Sequence, residues 1–249
     1  MDSIITCGYN TDYIDTLLMS LFYKGILLET KLLNQDLDNI MSTYIQEIIR
    51  EKFINKLRDN KCLLSAHINE LRVYFHLAGW KTVDELMNRH NIVDFYIFIS
   101  KLLCIKSIKL EKNELKYIDI NIEYQTNELI NLHNLFIEWF NNHTLYNFPE
   151  LLIVKLNKDV SDIKMDIPQG IRPSKFANKE YNKKLVWEIY SIICRESENY
   201  YYCIMKRDEV WYMFDDRVIP SVKKINITDQ INKHNIMKNA IILIYTSAI

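Results

Sequence analysis

The sequence predicts an α+β fold with a helical first half and a strand-rich second half. Three observations carry this. Through Cys104, apolar residues recur at three- and four-residue steps, the period of helices with one buried face. From Tyr117 the period shortens to two, and β-branched and aromatic residues gather into short runs. Helices first and strands later is the order of an α+β domain.

The elements follow in order. Ile14, Leu17, Leu18, Leu21 and Phe22 give one apolar face to a helix starting at Thr11. Asn10, Thr11 and Asp12 are N-cap candidates, and Asp15 sits in the first turn, where a negative charge suits the macrodipole. Gly25 is expected to end this helix. Leu37 to Leu57 continues with Ile40, Tyr44, Ile48, Ile49 and Phe53 at helical steps. Ile68 to Leu77 and Thr82 to Met87 read as shorter helices, and Asn91 to Cys104 as another. Tyr117 to Tyr124, YIDINIEY, alternates as a half-buried strand, and Leu129 to Asn141 reads as helical. Leu151 to Leu156, Leu185 to Cys194, Tyr200 to Arg207, Val210 to Phe214 and Ile241 to Tyr245 read as strands, with RDEV (Arg207 to Val210) as a hairpin turn. Lys158 to Lys184 is the loosest connection. No composition break divides the chain, so residues 1–249 are read as a single domain, helical over 1–115 and mainly β over 116–249.

Composition narrows the function classes. At 249 residues and 49% hydrophobic, the chain can bury a substantial core. A net charge of -1 gives no general attraction to nucleic acid or to an anionic membrane. The apolar runs are too short to span a bilayer, and Met1 to Asn10 lacks the basic start and apolar stretch of a signal peptide. Five scattered cysteines form no CxxC pair, which points to free thiols in a reducing, intracellular compartment, cytoplasm or nucleus, and to no structural metal. No cofactor fingerprint occurs. Four glycines and four prolines, against abundant Ile, Asn, Lys and Tyr, suggest A+T-rich coding, as in some protists and large DNA viruses, so a virion is a second place to expect the protein.

Five segments carry a resemblance. Asn10 to Phe22, NTDYIDTLLMSLF, is similar to the nucleophile box N-T-C-Y-M-N-S-L-L-Q-x-L of the ubiquitin-specific proteases. Arg89 to Leu103 resembles that family's Q-Q-D-A-x-E-F-L-x-x-L-L helix, with Asp94-Phe95 at the Glu-Phe step. Tyr117 to Phe140 resembles the strand and helix that come next there. Asn147 to Asn157, NFPELLIVKLN, followed by KMDIP (Lys164 to Pro168), is close to L-P-x-x-L-x-I-x-L-x-R-F and its sequel. Tyr200 to Val218, YYYCIMKRDEVWYMFDDRV, resembles H-Y-x-A-Y-V-K-x-x-x-x-W-Y-x-F-D-D-x-x-V, and AIILIYTS at Ala240 matches the closing strand. The resemblance covers the whole chain and implies a papain-like cysteine protease fold of the ubiquitin-specific protease type, with a helical thumb, an antiparallel palm and reduced fingers. It implies ubiquitin or a ubiquitin-like protein as partner.

The same alignment implies a dismantled site. The nucleophile position holds Asp12, the histidine position Tyr200, and the third position Asp215, followed by Asp216; Asn10 is retained, and Cys7 stands at the upstream asparagine position. Thiol-protease chemistry needs a thiolate, a base to form it and a group to orient the base. A carboxylate at position 12 is expected to cap the helix instead. Tyrosine, with an unperturbed pKa of about 10, is a poor base near neutrality. Asp215 and Asp216 are expected to cap a turn or pair with Arg217 or a lysine. The expectation is a pseudoenzyme that binds or scaffolds as a component of a larger assembly, such as a viral one. The alternative is a divergent active deubiquitinase using a relocated cysteine such as Cys7.

Overall fold

The computed structural model describes residues 4–5, 8–60, 62–111, 113–122, 129–158, 165–172, 186–197 and 200–248. It divides into two compact units by space rather than by order along the chain. The first holds residues 1–105 with 195–225, and the second 106–194 with 226–249. The hairpin after Tyr200 therefore belongs with the helices.

In the first unit, α1 (Asp12–Phe22) is buried at every residue. Its apolar positions meet the core on all sides, so its polar residues Asp12, Asp15, Thr16 and Ser20 are inside as well. Gly25 does not stop α1. Lys24, at φ 50, turns the chain, and Gly25 occupies the N-cap position of α2 (Ile26–Leu33). The long helix expected over Leu37 to Leu57 is broken into α3 (Ile40–Ile49), a π turn (Arg50–Ile54) and α4 (Asn55–Asn60). Asn39 caps α3 by accepting from Ser42 N–H at 3.1 Å. α5 (Ser65–Leu77) and α6 (Ile92–Leu102) follow, the latter capped by Asn91 through Val93 N–H at 2.8 Å.

Thr82 to Met87 is not a helix. The Glu85 carboxylate accepts from both Thr82 N–H and the Thr82 hydroxyl, within a run of four-residue turns. Between α5 and α6, Tyr13, Phe75, Trp80, Phe95 and Phe98 form an aromatic core with neighbouring ring centroids 5.1–6.3 Å apart. Full burial of one such ring contributes roughly 1.5–3 kcal/mol, and Phe98, half-buried, contributes less.

Against α1 lies the strand Tyr200–Arg207. It pairs antiparallel with Val210–Phe214, which pairs with Val222–Ile225. Asp208 and Glu209 join the first two strands with φ of 47° and 60°, the backbone that a two-residue type I′ turn requires. The Thr16 hydroxyl donates to Tyr201 C=O at 3.2 Å and fixes α1 on the strand.

In the second unit, Ile118–Ile122 runs parallel to Leu151–Lys158. The latter pairs antiparallel with Ala240–Ala248, and that strand with Val186–Ser197, on which Gly170–Ile171 is a short addition. Every second residue of Ile118–Ile122 is buried, as the YIDINIEY alternation predicts. α7 (Leu132–Asn141) packs on this strand with Phe136 and Phe140 buried. α8 (Gln230–Asn239) was not foreseen in the sequence. It is mostly polar, with Ile236 its buried anchor. Val222–Ile225, with two exposed lysines, was also not foreseen.

Candidate active-site region

The start of α1 is where the resemblance puts the nucleophile. Thr11 holds the N-cap position, but its side chain does not cap the helix. The Thr11 hydroxyl accepts from Gly8 N–H at 2.9 Å and donates to Asp15 Oδ2 at 2.9 Å. Asp12 was expected to be the cap and is not. It is the first helical residue, one position too far in, and its carboxylate crosses to the strand. Its Oδ2 accepts from Tyr201 N–H at 3.3 Å, and Arg89 Nε lies 3.6 Å from Oδ1. Burial pushes the Asp12 carboxyl above its ordinary value, against the opposing pull of Arg89 and of Tyr201 N–H.

Asp15 is fully buried. Burial, and then the negative charge of Asp216, push its carboxyl well above the usual range. The Oδ1 atoms of Asp12 and Asp15 are both buried without a hydrogen bond. Their buried cation is Arg72 of α5, only 1% exposed. Its Nη1 meets Met87 Sδ at 3.1 Å, its Nη2 donates to Tyr9 C=O, and its Nε has no hydrogen-bond partner. Asn10, at φ 56, donates from Nδ2 to Met87 C=O at 3.1 Å. Cys7 lies outside the described residues.

Tyr200 opens the strand that receives Asp12. Its hydroxyl lies 2.6 Å from Asp215 Oδ1 and 2.5 Å from Asp216 Oδ1. One phenol proton cannot serve two carboxylates, so Tyr200 donates to one and accepts from the other when that one is protonated. Burial, and the charge of Asp215 beside it, push the Asp216 carboxyl above its ordinary value. Burial also opposes the charge on Asp215, but the contacts from Arg217 and the Tyr200 hydroxyl together outweigh it and hold the carboxyl below its ordinary value. Arg217 donates to Asp215 from its backbone N–H at 3.0 Å and from Nη2 at 3.0 Å, and pairs with Glu196. Its guanidinium also stacks 3.6 Å over the Tyr200 ring. Asp215 thus both caps the turn and pairs with Arg217, the two roles expected of it, while Asp216 meets Tyr200.

The structure brings Asp12, Tyr200, Asp215 and Asp216 together within the first unit. His90 packs its ring edge on Tyr13, and its Nε2 bonds Glu85 C=O at 2.9 Å. Arg72 and Arg89, the cations facing Asp12, gave no signal in the sequence, because neither lies in a motif that marks a charge partner. Among the described residues no group of His, Cys, Asp and Glu could hold a metal ion, and no helix is long and apolar enough to cross a membrane.

A model of the ubiquitin carboxyl-terminal hydrolase family matches residues 7–245, nearly the whole chain. The chain belongs to that family. No curated protein matches it significantly. Membership accounts for the fold just described: a papain-like α+β arrangement with a helical N-terminal part and a mostly antiparallel sheet. The protein is accordingly deubiquitinase-like, with ubiquitin as the protein on which the hydrolase family acts.

Proposed function

We propose that this member of the hydrolase family is a pseudoenzyme, which works by binding ubiquitin or a ubiquitin-like protein, or by scaffolding a larger intracellular assembly. The carrying observation is the state of Tyr200. A general base must take a proton near neutral pH. The Tyr200 phenol is pushed far above its ordinary value, first by burial and then by Asp216, and its hydroxyl is already engaged by two carboxyls. Asp12 supports the same reading, since a buried carboxylate held by Tyr201 N–H has no thiol chemistry to offer. A viral source fits the composition.

Two measurements test this. Native protein at micromolar concentration should give no turnover of a fluorogenic ubiquitin substrate. Turnover abolished by Cys7→Ser would establish the alternative, a divergent deubiquitinase. Titration of isotope-labelled ubiquitin should perturb resonances of its C-terminal tail. A flat titration would leave a scaffolding role without ubiquitin binding.

A further inference from the structure

We propose that the exposed face shared by α3 and α5 is a docking site for an amphipathic helix of a partner protein, apolar at its centre and basic at both ends. This stands on the first unit alone and goes beyond the active-site reading, since it needs neither Asp12 nor Tyr200. Tyr44 of α3 meets Tyr74 of α5 with ring centroids 5.8 Å apart, and Lys52, in the π turn, pairs with Glu70 at 2.8 Å. Numbers rise along one element as they fall along the other, so the two run antiparallel. The start of α3, with Ile40 and Met41, therefore lies beside the end of α5, with Leu77.

Residues four apart stand one above the other on a helix, so Ile40 and Tyr44 make one apolar row and Val73 and Leu77 another. Ile40 is 88% exposed and Leu77 63%, and Met41, Tyr44 and Val73 are exposed as well. The core takes the other faces: Ile45, Ile48 and Ile49 of α3, and Leu71 and Phe75 of α5, are buried. Single apolar side chains are ordinary on a surface, whereas two facing rows form a groove of the kind that receives a third helix.

Acids stand at both ends of that groove. Asp36 and Asp38 precede Ile40, and Glu47 and Glu51 continue the row beyond Tyr44 at steps of three and four. All four are exposed, and among the described residues none of these carboxylates has an ion pair or a hydrogen bond. The neighbouring lysines are engaged, Lys52 by Glu70 and Lys81 over the Trp80 ring at 5.1 Å. The face is thus apolar in the middle and negative at both ends, and the helix that complements it carries lysine or arginine in its first and last turns. The same charges disfavour two other occupants. A second copy laid on this face by a two-fold axis brings acids onto acids, and an anionic lipid surface is repelled.

The probe is a fluorescein-labelled sixteen-residue peptide, as long as the stretch from Asp36 to Glu51. It carries lysine in its first and last turns and leucine at helical steps between them, and a staple on its polar face keeps it helical. Titrated into the full chain and read by anisotropy, it should bind saturably in the micromolar range, more weakly as salt rises. Ile40→Ser and Leu77→Ser should each weaken binding about tenfold. Glu47→Lys combined with Glu51→Lys should weaken it several-fold. Because these side chains are exposed, none of the variants should move the melting temperature by more than a few degrees. Absence of binding at millimolar peptide would overturn the proposal. So would binding indifferent to Ile40→Ser and Leu77→Ser, or equal binding of a peptide with glutamate in place of lysine. Self-association of the chain that Ile40→Ser abolishes would make a second copy the occupant and overturn it too.

Discussion

The two ends of α1 solve the same problem in opposite ways. At the C-terminal end, the buried Arg207 collects the last turn. Its Nε donates to Tyr23 C=O at 2.6 Å and its Nη2 to Ser20 C=O at 2.8 Å, so carbonyls that the helix leaves free are answered. At the N-terminal end, two carboxylates are inside the protein, each with one oxygen that accepts no hydrogen bond, beside an arginine whose Nε donates none; among the described residues only Asp12 Oδ1 has an ion-pair partner, Arg89. A buried polar group left without any partner costs roughly 1–3 kcal/mol. Such groups are exceptions in folded proteins and concentrate where a protein binds or reacts. One end of α1 is thus built for stability. The other retains polar groups that stability alone would not require, at the position where the sequence resemblance puts a nucleophile.

Three substitutions break or sharpen that contrast, the largest effect first. Arg207→Ala should destabilise by about 3–5 kcal/mol, since buried carbonyls lose a charged donor, and urea unfolding would report it. A loss below about 1 kcal/mol would remove the claim that the C-terminal end is the load-carrying one. Tyr200→Phe should cost about 1–3 kcal/mol at neutral pH, because Asp215 and Asp216 lose the hydroxyl between them.

The third, Asp15→Asn, should stabilise, by ~1 kcal/mol near neutrality. The sign follows from linkage. The folded Asp15 carboxyl is raised, so its stabilising contribution is full below the unfolded value and is lost as pH rises through the folded one. Asp12 and Asp216 titrate in the same sense. Asp215 runs the other way, its contribution being present above the unfolded value and lost as pH falls through its lowered one. The melting-temperature gain of Asp15→Asn should therefore grow from acid toward neutral pH and disappear near pH ~4. A gain independent of pH would mean that Asp15 carries no shifted proton.

How much of this was legible in the sequence depended on range. α1, α6 and the hairpin at Asp208-Glu209 follow from local periodicity and turn residues, and they stand within a few residues of their expected bounds. α2 was hidden because Gly25 reads as an end when it is a beginning. α8 was hidden because its three apolar residues, Ile231, Ile236 and Met237, do not recur at helical steps along one face. The motif positions Asp12, Tyr200 and Asp215 were legible through resemblance, but their partners were not. Asp12 reaches Tyr201 across 189 residues, and Arg207 reaches Ser20 across 187. Asp15 looked like an ordinary first-turn charge, and only the fold shows it sealed from solvent. Local pattern fixes where a side chain sits on its own element, whereas burial depends on what packs over it.

The central claim is that this hydrolase-family chain performs no thiol chemistry on ubiquitin. Its most direct test is incubation of the native protein with ubiquitin bearing a thiol-reactive C-terminal warhead, followed by intact-mass measurement. The account predicts an unchanged mass at every time point. A mass increase of one ubiquitin would contradict it.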